Sequence, residues 1–223
     1  MNNLKKLFLV GFVLISSSLL NPCQGTDSLK IALTLHQSSQ FDKALPVFID
    51  LSNKFKRQND IINYALCQVK IADMIRNYGG VNVSIEMLNN TEKLLRVRIE
   101  KPTLTLAENF LTKAEAFYTA SRFAEFKSAV LQSILIKRQA GLPEKYLAED
   151  YTQLARYYLA HQNQRDSCYY WINKALRLAK SDRLMHLYLL PRIYNAIGYY
   201  YHPASVAYFL NDINKCCWMI IIS

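Results

Sequence analysis

Residues 102–142 read PTLTLAENFLTKAEAFYTASRFAEFKSAVLQSILIKRQAGL, and a related copy of this stretch begins at Pro143. A shift of 41 positions (143 − 102) superimposes the two copies. The matched residues are Pro102 with Pro143, Leu106 with Leu147, Ala107 with Ala148, Glu108 with Glu149, Phe110 with Tyr151, Ala114 with Ala155 and Phe117 with Tyr158. A fixed offset that returns proline, alanine and aromatic residues to equivalent places is typical of repeat architectures.

Each copy has the residue spacing of two helices. Leu106, Phe110, Ala114 and Phe117 are four, four and three residues apart, which places them on one helical face. A second run at the same spacing contains Phe123, Phe126, Val130, Ile134 and Lys137. Gly141 is expected to end this second helix, and the prolines at 102 and 143 are expected in the first turns of their helices. One unit is therefore a helix, a short turn and a second helix.

Small residues indicate how the helices pack. Ala114 and Ala155 lie where two helices must approach closely, and Phe117 and Tyr158, three residues later, would fill the space beside them. A single hairpin cannot bury a face this wide, whereas stacking on neighbouring hairpins can. The sequence therefore predicts an all-α solenoid of about five antiparallel helix pairs with a period of about 41 residues.

The units resemble the tetratricopeptide repeat (TPR) family. The first unit carries the resemblance most clearly, with Ala32 and Leu35 in its first helix and Phe41-Asp42-Lys43-Ala44 opening its second. The small residue of each unit falls at Ala32, Ala72, Ala114, Ala155 and Gly198, and Tyr201 takes the aromatic place of the fifth unit. The resemblance implies a right-handed solenoid that binds a protein or peptide. The standard TPR unit has roughly 34 residues, so each helix here is expected to be about one turn longer.

The two ends of the chain differ from the repeats. Residues 1–25 have Lys5 and Lys6, an apolar run and small residues near Gly25, which predicts a secretory signal cut after Gly25. The alternative is a lipoprotein signal with Cys23 as the lipidated residue. The repeat domain is assigned to residues 26–210. Residues 211–223 end in an apolar run that lacks the polar outer face of a terminal repeat, and truncation is the favoured interpretation, beside a membrane span that begins here or a damaged reading frame.

Helix bounds follow from the apolar spacing. The first pair is expected at 27–39 and 41–57, with a small kink at Pro46. Asp60 is expected to cap the next helix, and a further helix is expected over 83–99. Cys67 and Cys168 are expected to be buried small residues rather than a disulfide.

No catalytic constellation is evident in the sequence. It contains no Gly-rich phosphate loop, Gly-x-Ser-x-Gly or His-Glu-x-x-His motif. His36 and His161 lie near hairpin turns, where a solvent-facing imidazole is ordinary, and Glu149 and Asp150 are read as helix-start residues. The sequence therefore predicts no enzyme activity, cofactor or metal.

The chain is basic, with a formal net charge of +10. The basic residues that could line one concave surface are Arg122, Lys127, Lys137, Arg138, Arg156 and Arg165. Such a groove would bind an acidic peptide or a phosphate group, although a solvated face and helix ends explain the same residues. Nucleic acid is the second candidate ligand for this charge, but none is expected because exported proteins seldom meet it.

The function predicted from these features is a non-enzymatic, exported module that binds a protein or peptide. Its arrangement resembles the periplasmic sensory part of bacterial membrane-bound regulators, which implies a role in signal transduction and membrane attachment. The alternative is a free periplasmic or lipid-anchored scaffold, and an enzyme is the third hypothesis.

Overall fold

The structure is a computed structural model that describes residues 23–160 and 164–180. These residues form eight α-helices and contain no strand, which confirms the all-α prediction for this part of the chain. The helices are α1 (Cys23–Gln37), α2 (Phe41–Arg57), α3 (Ile61–Asn77), α4 (Val81–Arg98), α5 (Leu104–Thr119), α6 (Phe123–Gln139), α7 (Ala148–Ala160) and α8 (Arg165–Lys180). A 3₁₀ turn at Glu144–Leu147 precedes α7. The predicted signal sequence before residue 23, His161, the fifth unit with Gly198 and Tyr201, and the tail lie outside the described residues.

Consecutive helices pack against each other as antiparallel pairs, α1 with α2 through α7 with α8. The first helices α3 and α5 also contact each other across neighbouring pairs. This is the stacking of a TPR-like solenoid, as the repeat predicts. The stack has two edges. Each first helix turns into its second helix at the turn edge, and each second helix leads to the next pair at the pair-to-pair edge.

Five of the connections begin with the same backbone motif. One residue just after the helix adopts positive φ, namely Ser39 (58°), Asn59 (55°), Gly79 (93°), Ser121 (57°) and Gly141 (66°). The N–H of the following residue donates to a carbonyl five residues earlier, as from Arg122 to Phe117 at 2.8 Å. This Schellman geometry satisfies carbonyls that a helix end leaves free. Gly141 ends α6 in this way, as the sequence predicts.

Two helix starts are capped by side chains. The Asp60 carboxylate accepts the N–H of Asn63, which confirms the predicted cap of α3. The Thr103 hydroxyl accepts the N–H of Leu106. Because Thr103 is the cap, α5 begins at Leu104, and the placement of Pro102 in the first helical turn is wrong. Pro143 likewise precedes the 3₁₀ turn rather than opening α7 directly.

Most predicted bounds agree with the helices to within a few residues. The bounds of α2 coincide with the prediction, and the helix is continuous through Pro46. α1 begins at Cys23 rather than Asp27, so the predicted cleavage site after Gly25 falls in its first turn. α4 begins at Val81 rather than Val83, directly after the turn that ends at Gly80.

The core contains the alanines of the repeat. Ala32, Ala44, Ala72, Ala114 and Ala155 are all fully buried. The apolar residues form two main clusters, one within α1–α3 and one extending from α3 and α4 through α8. Small residues at these positions allow the helices to approach closely, and Phe117 packs beside Ala114 in the larger cluster.

A buried ion pair joins the third helix pair to the fourth. Lys137 Nζ lies 2.5 Å from Asp150 Oδ2 and also donates to the Tyr146 carbonyl oxygen at 2.9 Å. Both side chains are almost fully buried. The prediction that Lys137 lines a groove is therefore wrong, because this ammonium faces the core and neutralises Asp150. Lys137 continues the helical spacing of Val130 and Ile134 because all three side chains are buried on the same face of α6.

Cys67 and Cys168 are buried free thiols, as predicted. Burial, with a smaller contribution from Asp60, raises the pKa of Cys67 to about 12, and burial raises the pKa of Cys168 to about 11. Both thiols are therefore neutral near pH 7 and poor nucleophiles. Within the described residues, no helix is long and apolar enough to cross a membrane.

Candidate binding surface

Polar side chains connect the first helices of successive pairs. His36 of α1 bonds to Asp73 of α3, Lys70 of α3 bonds to Glu108 of α5, and Glu115 of α5 bonds to Arg156 of α7. We call this series of contacts the ladder. It extends along the side of the solenoid formed by the first helices, so it occupies the surface on which the sequence places a ligand groove.

The first contact of the ladder contains three charged or ionisable groups. His36 Nε2 lies 2.9 Å from Asp73 Oδ2, and Arg76 Nη2 lies 2.7 Å from Asp73 Oδ1. Burial alone would raise the pKa of Asp73, but the bonds from His36 and Arg76 outweigh it and lower this pKa to about 2. The His36 ring also lies against Phe41 and Phe48. The expectation that His36 faces solvent is therefore wrong, because Asp73 and two aromatic rings surround it.

The second contact is the ion pair between α3 and α5. Lys70 Nζ lies 3.0 Å from Glu108 Oε2, and both side chains are less than one-third exposed. Burial would lower the pKa of Lys70, but the attraction and hydrogen bond of Glu108 exceed this effect and raise the pKa above its ordinary value. Glu108 therefore ties two helix pairs together and is not a free acidic group.

The third contact fixes the orientation of an arginine. Arg156 Nη1 donates to Glu115 Oε1 at 2.8 Å and to Gln153 Oε1 at 2.7 Å. Its guanidinium carbon lies 4.3 Å from the centre of the Tyr118 ring. The side chain remains 29% exposed, so an ordered cation over an aromatic ring is accessible at this position.

A lysine and more aromatic rings continue this arrangement toward the turn edge. Lys127 Nζ lies 5.1 Å from the ring centre of Tyr157 and 5.2 Å from that of Tyr158. Tyr157 stacks near Phe126, which in turn contacts Tyr118 at 5.3 Å between ring centres. We call Tyr118, Lys127, Arg156, Tyr157 and Tyr158 the aromatic–cation cluster. Except for Tyr157, its members are half-buried, so neighbouring side chains hold them in place while a partner can still reach them.

Apart from the buried Lys137, the other basic residues predicted to line a groove are exposed and lie outside this cluster. Arg122 is exposed, forms an ion pair with Glu125 at 2.9 Å and lies 4.6 Å from the Phe117 ring centre. Arg165 is exposed at the start of α8. Arg138 is exposed at the opposite, pair-to-pair edge. The structure thus brings Lys127 and Arg156 over neighbouring tyrosine rings and places Arg122 over Phe117. Lys137 and Arg138 belong to other parts of the molecule.

Sequence reasoning did not find the ladder, although a signal for it exists. The bonded residues are separated in the sequence by 37, 38 and 41 positions, which is close to one repeat. A search for oppositely charged residues one repeat apart would have selected Lys70 with Glu108 and Glu115 with Arg156. The aromatic–cation cluster has a weaker signal, because ring contacts between helices depend on side-chain directions that spacing does not give.

No group of three or more potential metal ligands occurs among the residues that the structure describes. The acidic residues 149 and 150 do not form an open site either, since Asp150 is buried against Lys137. The described surface offers aromatic rings, cations and hydrogen-bonding groups.

No protein-family model matches the sequence, and no curated protein matches it. Solved structures with the same fold do match. Two are of the nearly identical TPR-like repeats of a protein described as a kinesin light chain from Podosopora anserina, with TM-scores of 0.58 and 0.56 at 13% identity. They cover 89% and 88% of this chain, and each is itself covered to 96%.

A third solved structure is BtubC (BKLC) from P. vanneervenii. Its TM-score is 0.58 at 14% identity, with 85% of this chain and 78% of that chain covered. At these identities the similarity concerns the fold. Together with the stacked pairs and the buried alanines, it shows that this chain has the TPR-like repeat fold.

Proposed function

We propose that this protein is a non-enzymatic binding module whose partner is a protein or peptide that contacts the aromatic–cation cluster. The observation that carries the proposal is the arrangement of Lys127 and Arg156 over tyrosine rings on the accessible side of the third and fourth pairs. Because these groups are already ordered, a partner would lose less conformational entropy on binding them. Tyrosine and arginine are also the residues that most often dominate binding energy at protein interfaces.

The chemistry of the cluster favours a partner with acidic and aromatic side chains. The ammonium of Lys127 and the guanidinium of Arg156 would meet carboxylates, and the exposed parts of Tyr118 and Tyr158 would meet apolar or aromatic groups. Glu115 already neutralises part of the charge of Arg156. The cluster would therefore orient a partner rather than attract polyanions indiscriminately.

A displayed peptide library tests this proposal on the full chain. We expect enriched peptides to contain acidic residues next to an aromatic one. Replacing Lys127→Ala and Tyr158→Ala together should weaken these peptides by about ten-fold or more, as expected for an interface hot spot. The matched control replaces Leu131→Ala and Leu135→Ala, two exposed residues of α6 outside the cluster, and should leave affinity unchanged. Failure to enrich any peptide, or equal weakening by the control, would contradict the proposal.

We also propose that the module is exported and either periplasmic or anchored to a membrane that it faces from the periplasm. The support is the pattern of residues 1–25, and the most similar arrangement is the sensory part of a bacterial membrane-bound regulator. N-terminal sequencing of the mature chain tests it. Thr26 as the first residue would indicate a cleaved signal, and a lipid-modified Cys23 would indicate a lipoprotein. A chain that still begins at Met1 would contradict export.

A sensory role and a scaffolding role differ in what adjoins the repeats. A coding sequence that continues past Ser223 into about 20 apolar residues and an intracellular domain would support the sensor. A stop codon after a polar capping helix would instead support a free or lipid-anchored envelope scaffold.

A further inference from the structure

The pair-to-pair edge collects basic side chains from several helices. The second helices are parallel to one another, so α2, α4 and α6 all end at this edge. Besides Arg96 and Lys137, which form ion pairs, and Lys145, which lies against Tyr146, their last turns and the connections that follow contain Lys54, Lys56, Arg57, Arg98, Lys101 and Arg138. Cations at these positions interact favourably with helix C-termini, which explains their local placement. The topology then collects them on one side of the molecule, and we call these six residues the basic edge.

The two edges differ in how their charges are balanced. At the turn edge, Arg76 pairs with Asp73 and Arg122 pairs with Glu125, while Lys43 bonds to the uncharged Gln40. At the basic edge, no carboxylate lies within ion-pair distance of these six residues in the part of the chain that the structure describes. Asp60 lies nearby but accepts hydrogen bonds from Asn63 of its own helix. Glu100 and Glu144 are the exposed acidic residues of the connections and offset only part of the positive charge.

Contacts between neighbouring pairs bring the basic groups together. Arg98 Nη2 donates to Asn59 Oδ1 at 3.0 Å, which places the end of α4 against the turn that follows Lys56 and Arg57. Val97, next to Arg98, is 81% exposed. The edge therefore presents clustered, solvent-accessible cations with an apolar side chain among them.

These features favour a flat anionic surface as the partner. Binding of single-stranded nucleic acid uses a series of aromatic platforms on which bases stack, whereas the described connections at this edge contain one aromatic residue, Tyr146, whose ring already lies against Lys145. Peptide recognition uses a groove or a sheet edge, whereas this edge consists of helix ends and turns. An anionic bilayer requires only a row of accessible Lys and Arg side chains, and each one near the surface raises affinity roughly five-fold.

The lipoprotein alternative for residues 1–25 also favours a membrane at this edge, and this step rests on the proposed export. First helices begin where second helices end, so Cys23 at the start of α1 lies at the same edge as the basic residues. A lipid attached to Cys23 would therefore lie beside the basic edge. One lipid chain gives only marginal membrane binding, and a polybasic patch is the kind of second signal that makes attachment stable.

We propose that the basic edge seats the repeat domain on an anionic membrane surface. In this orientation the helices stand upright on the bilayer, and the first-helix face with the aromatic–cation cluster remains open to a partner. The cluster and the basic edge share no residue, so the peptide-binding proposal and this one can fail separately.

Vesicle co-sedimentation of the full chain tests the inference. Vesicles of phosphatidylcholine alone give the binding that does not depend on negative charge, and vesicles with 30% phosphatidylglycerol add that charge. We expect tighter binding to the second kind, and the difference should largely disappear at about 1 M salt, where the Debye length falls to roughly 3 Å. Replacing Lys56→Gln, Arg57→Gln and Arg138→Gln together should reduce the affinity for the charged vesicles by roughly 100-fold.

The matched control removes the same charge from the turn edge, through Lys43→Gln, Arg122→Gln and Arg165→Gln. We expect it to bind both kinds of vesicle as the unmodified chain does. Equal weakening by both triple variants would mean that only net charge matters and would overturn the proposal. It would also be overturned if the basic-edge variant bound charged vesicles normally but lost affinity for polyglutamate or for RNA, since the edge would then serve an acidic polypeptide or a nucleic acid. Melting curves of both variants establish that each is folded.

Discussion

At the scale of single residues, three of the helix ends have a residue other than glycine in a backbone conformation that glycine adopts most easily. Five helix ends use a residue at positive φ, and glycine occupies only two of these places, Gly79 and Gly141. Ser39, Asn59 and Ser121 hold the same backbone conformation with a side chain attached. A left-handed conformation costs an L-residue roughly 1–2 kcal/mol, and glycine avoids that cost but loses more backbone entropy on folding.

Replacing Ser121→Gly should therefore stabilise the protein by about 0.5–1 kcal/mol. In a domain of this size, 1 kcal/mol raises the Tm by about 2–4 °C. The same replacement at Ser128, an exposed position within α6, should instead destabilise by about 0.5 kcal/mol because glycine is a poorer helix former than serine. Thermal unfolding of the two variants gives the comparison. A destabilised Ser121→Gly variant would show that the serine makes a contact worth more than the strain.

Protonation of Asp73 should weaken the fold at low pH. Its pKa falls from 3.8 to about 2 in the folded protein, so its stabilising effect is complete above pH 3.8 and is lost as the pH drops through about 2. This shift corresponds to roughly 2 kcal/mol. In urea unfolding, the stability gap between the unmodified chain and Asp73→Asn should therefore shrink by up to that amount between pH 5 and pH 2. A gap that stays constant over this range would contradict the role of the His36 and Arg76 contacts.

At the scale of elements, apolar spacing predicted the helices well because it reflects which face of each helix is buried. The alanines at 114 and 155 predicted close helix contacts for the same reason, since only a small side chain fits there. Contacts between polar side chains were harder to predict. Lys137 shares the apolar spacing of α6, but spacing within one helix does not show that Asp150 of α7 lies opposite it and allows its charge to be buried. The cap at Thr103 was missed because Pro102 is equally suited to the first helical turn and to the position before a cap.

Removing one partner of the α6–α7 ion pair should be strongly destabilising. Lys137→Met leaves Asp150 buried without a cation, and the expected cost is about 3–5 kcal/mol near pH 7. Arg138→Met, the next residue and an exposed one, should change stability by no more than about 0.5 kcal/mol. The double variant Lys137→Met with Asp150→Leu should recover most of the loss, because an apolar pair needs no neutralisation. Chemical denaturation measures all three, and a single Lys137 variant that loses less than about 1 kcal/mol would show that water reaches Asp150.

At the scale of the whole molecule, the division of the core into clusters determines which helix pairs can unfold independently. One apolar cluster lies within α1–α3, and the larger one extends from α3 and α4 through α8. In a repeat protein, stability comes from each pair and its nearest neighbours rather than from one central core. The first pair should therefore be able to open while the later ones stay folded.

Phe48→Ala should weaken the first cluster selectively. Phe48 is fully buried, and its loss should cost about 3–5 kcal/mol. Hydrogen exchange should then accelerate in residues 27–57 while amides in residues 104–139 keep their protection. Phe126→Ala, equally buried in the second cluster, should give the opposite pattern. Faster exchange throughout the described chain in both variants would show that the pairs unfold as one cooperative unit.

The ladder also bears on the mechanical behaviour of the solenoid. Ionic and hydrogen-bonded contacts join α1 to α3, α3 to α5 and α5 to α7, whereas the second helices expose apolar side chains such as Val83, Leu131 and Leu135 on the other side. Spreading the first helices apart would lengthen these contacts, whereas bringing them closer would not, so the stack should resist bending in one direction more than in the other. Because the contacting side chains are largely shielded from water, added salt should change this stiffness only slightly.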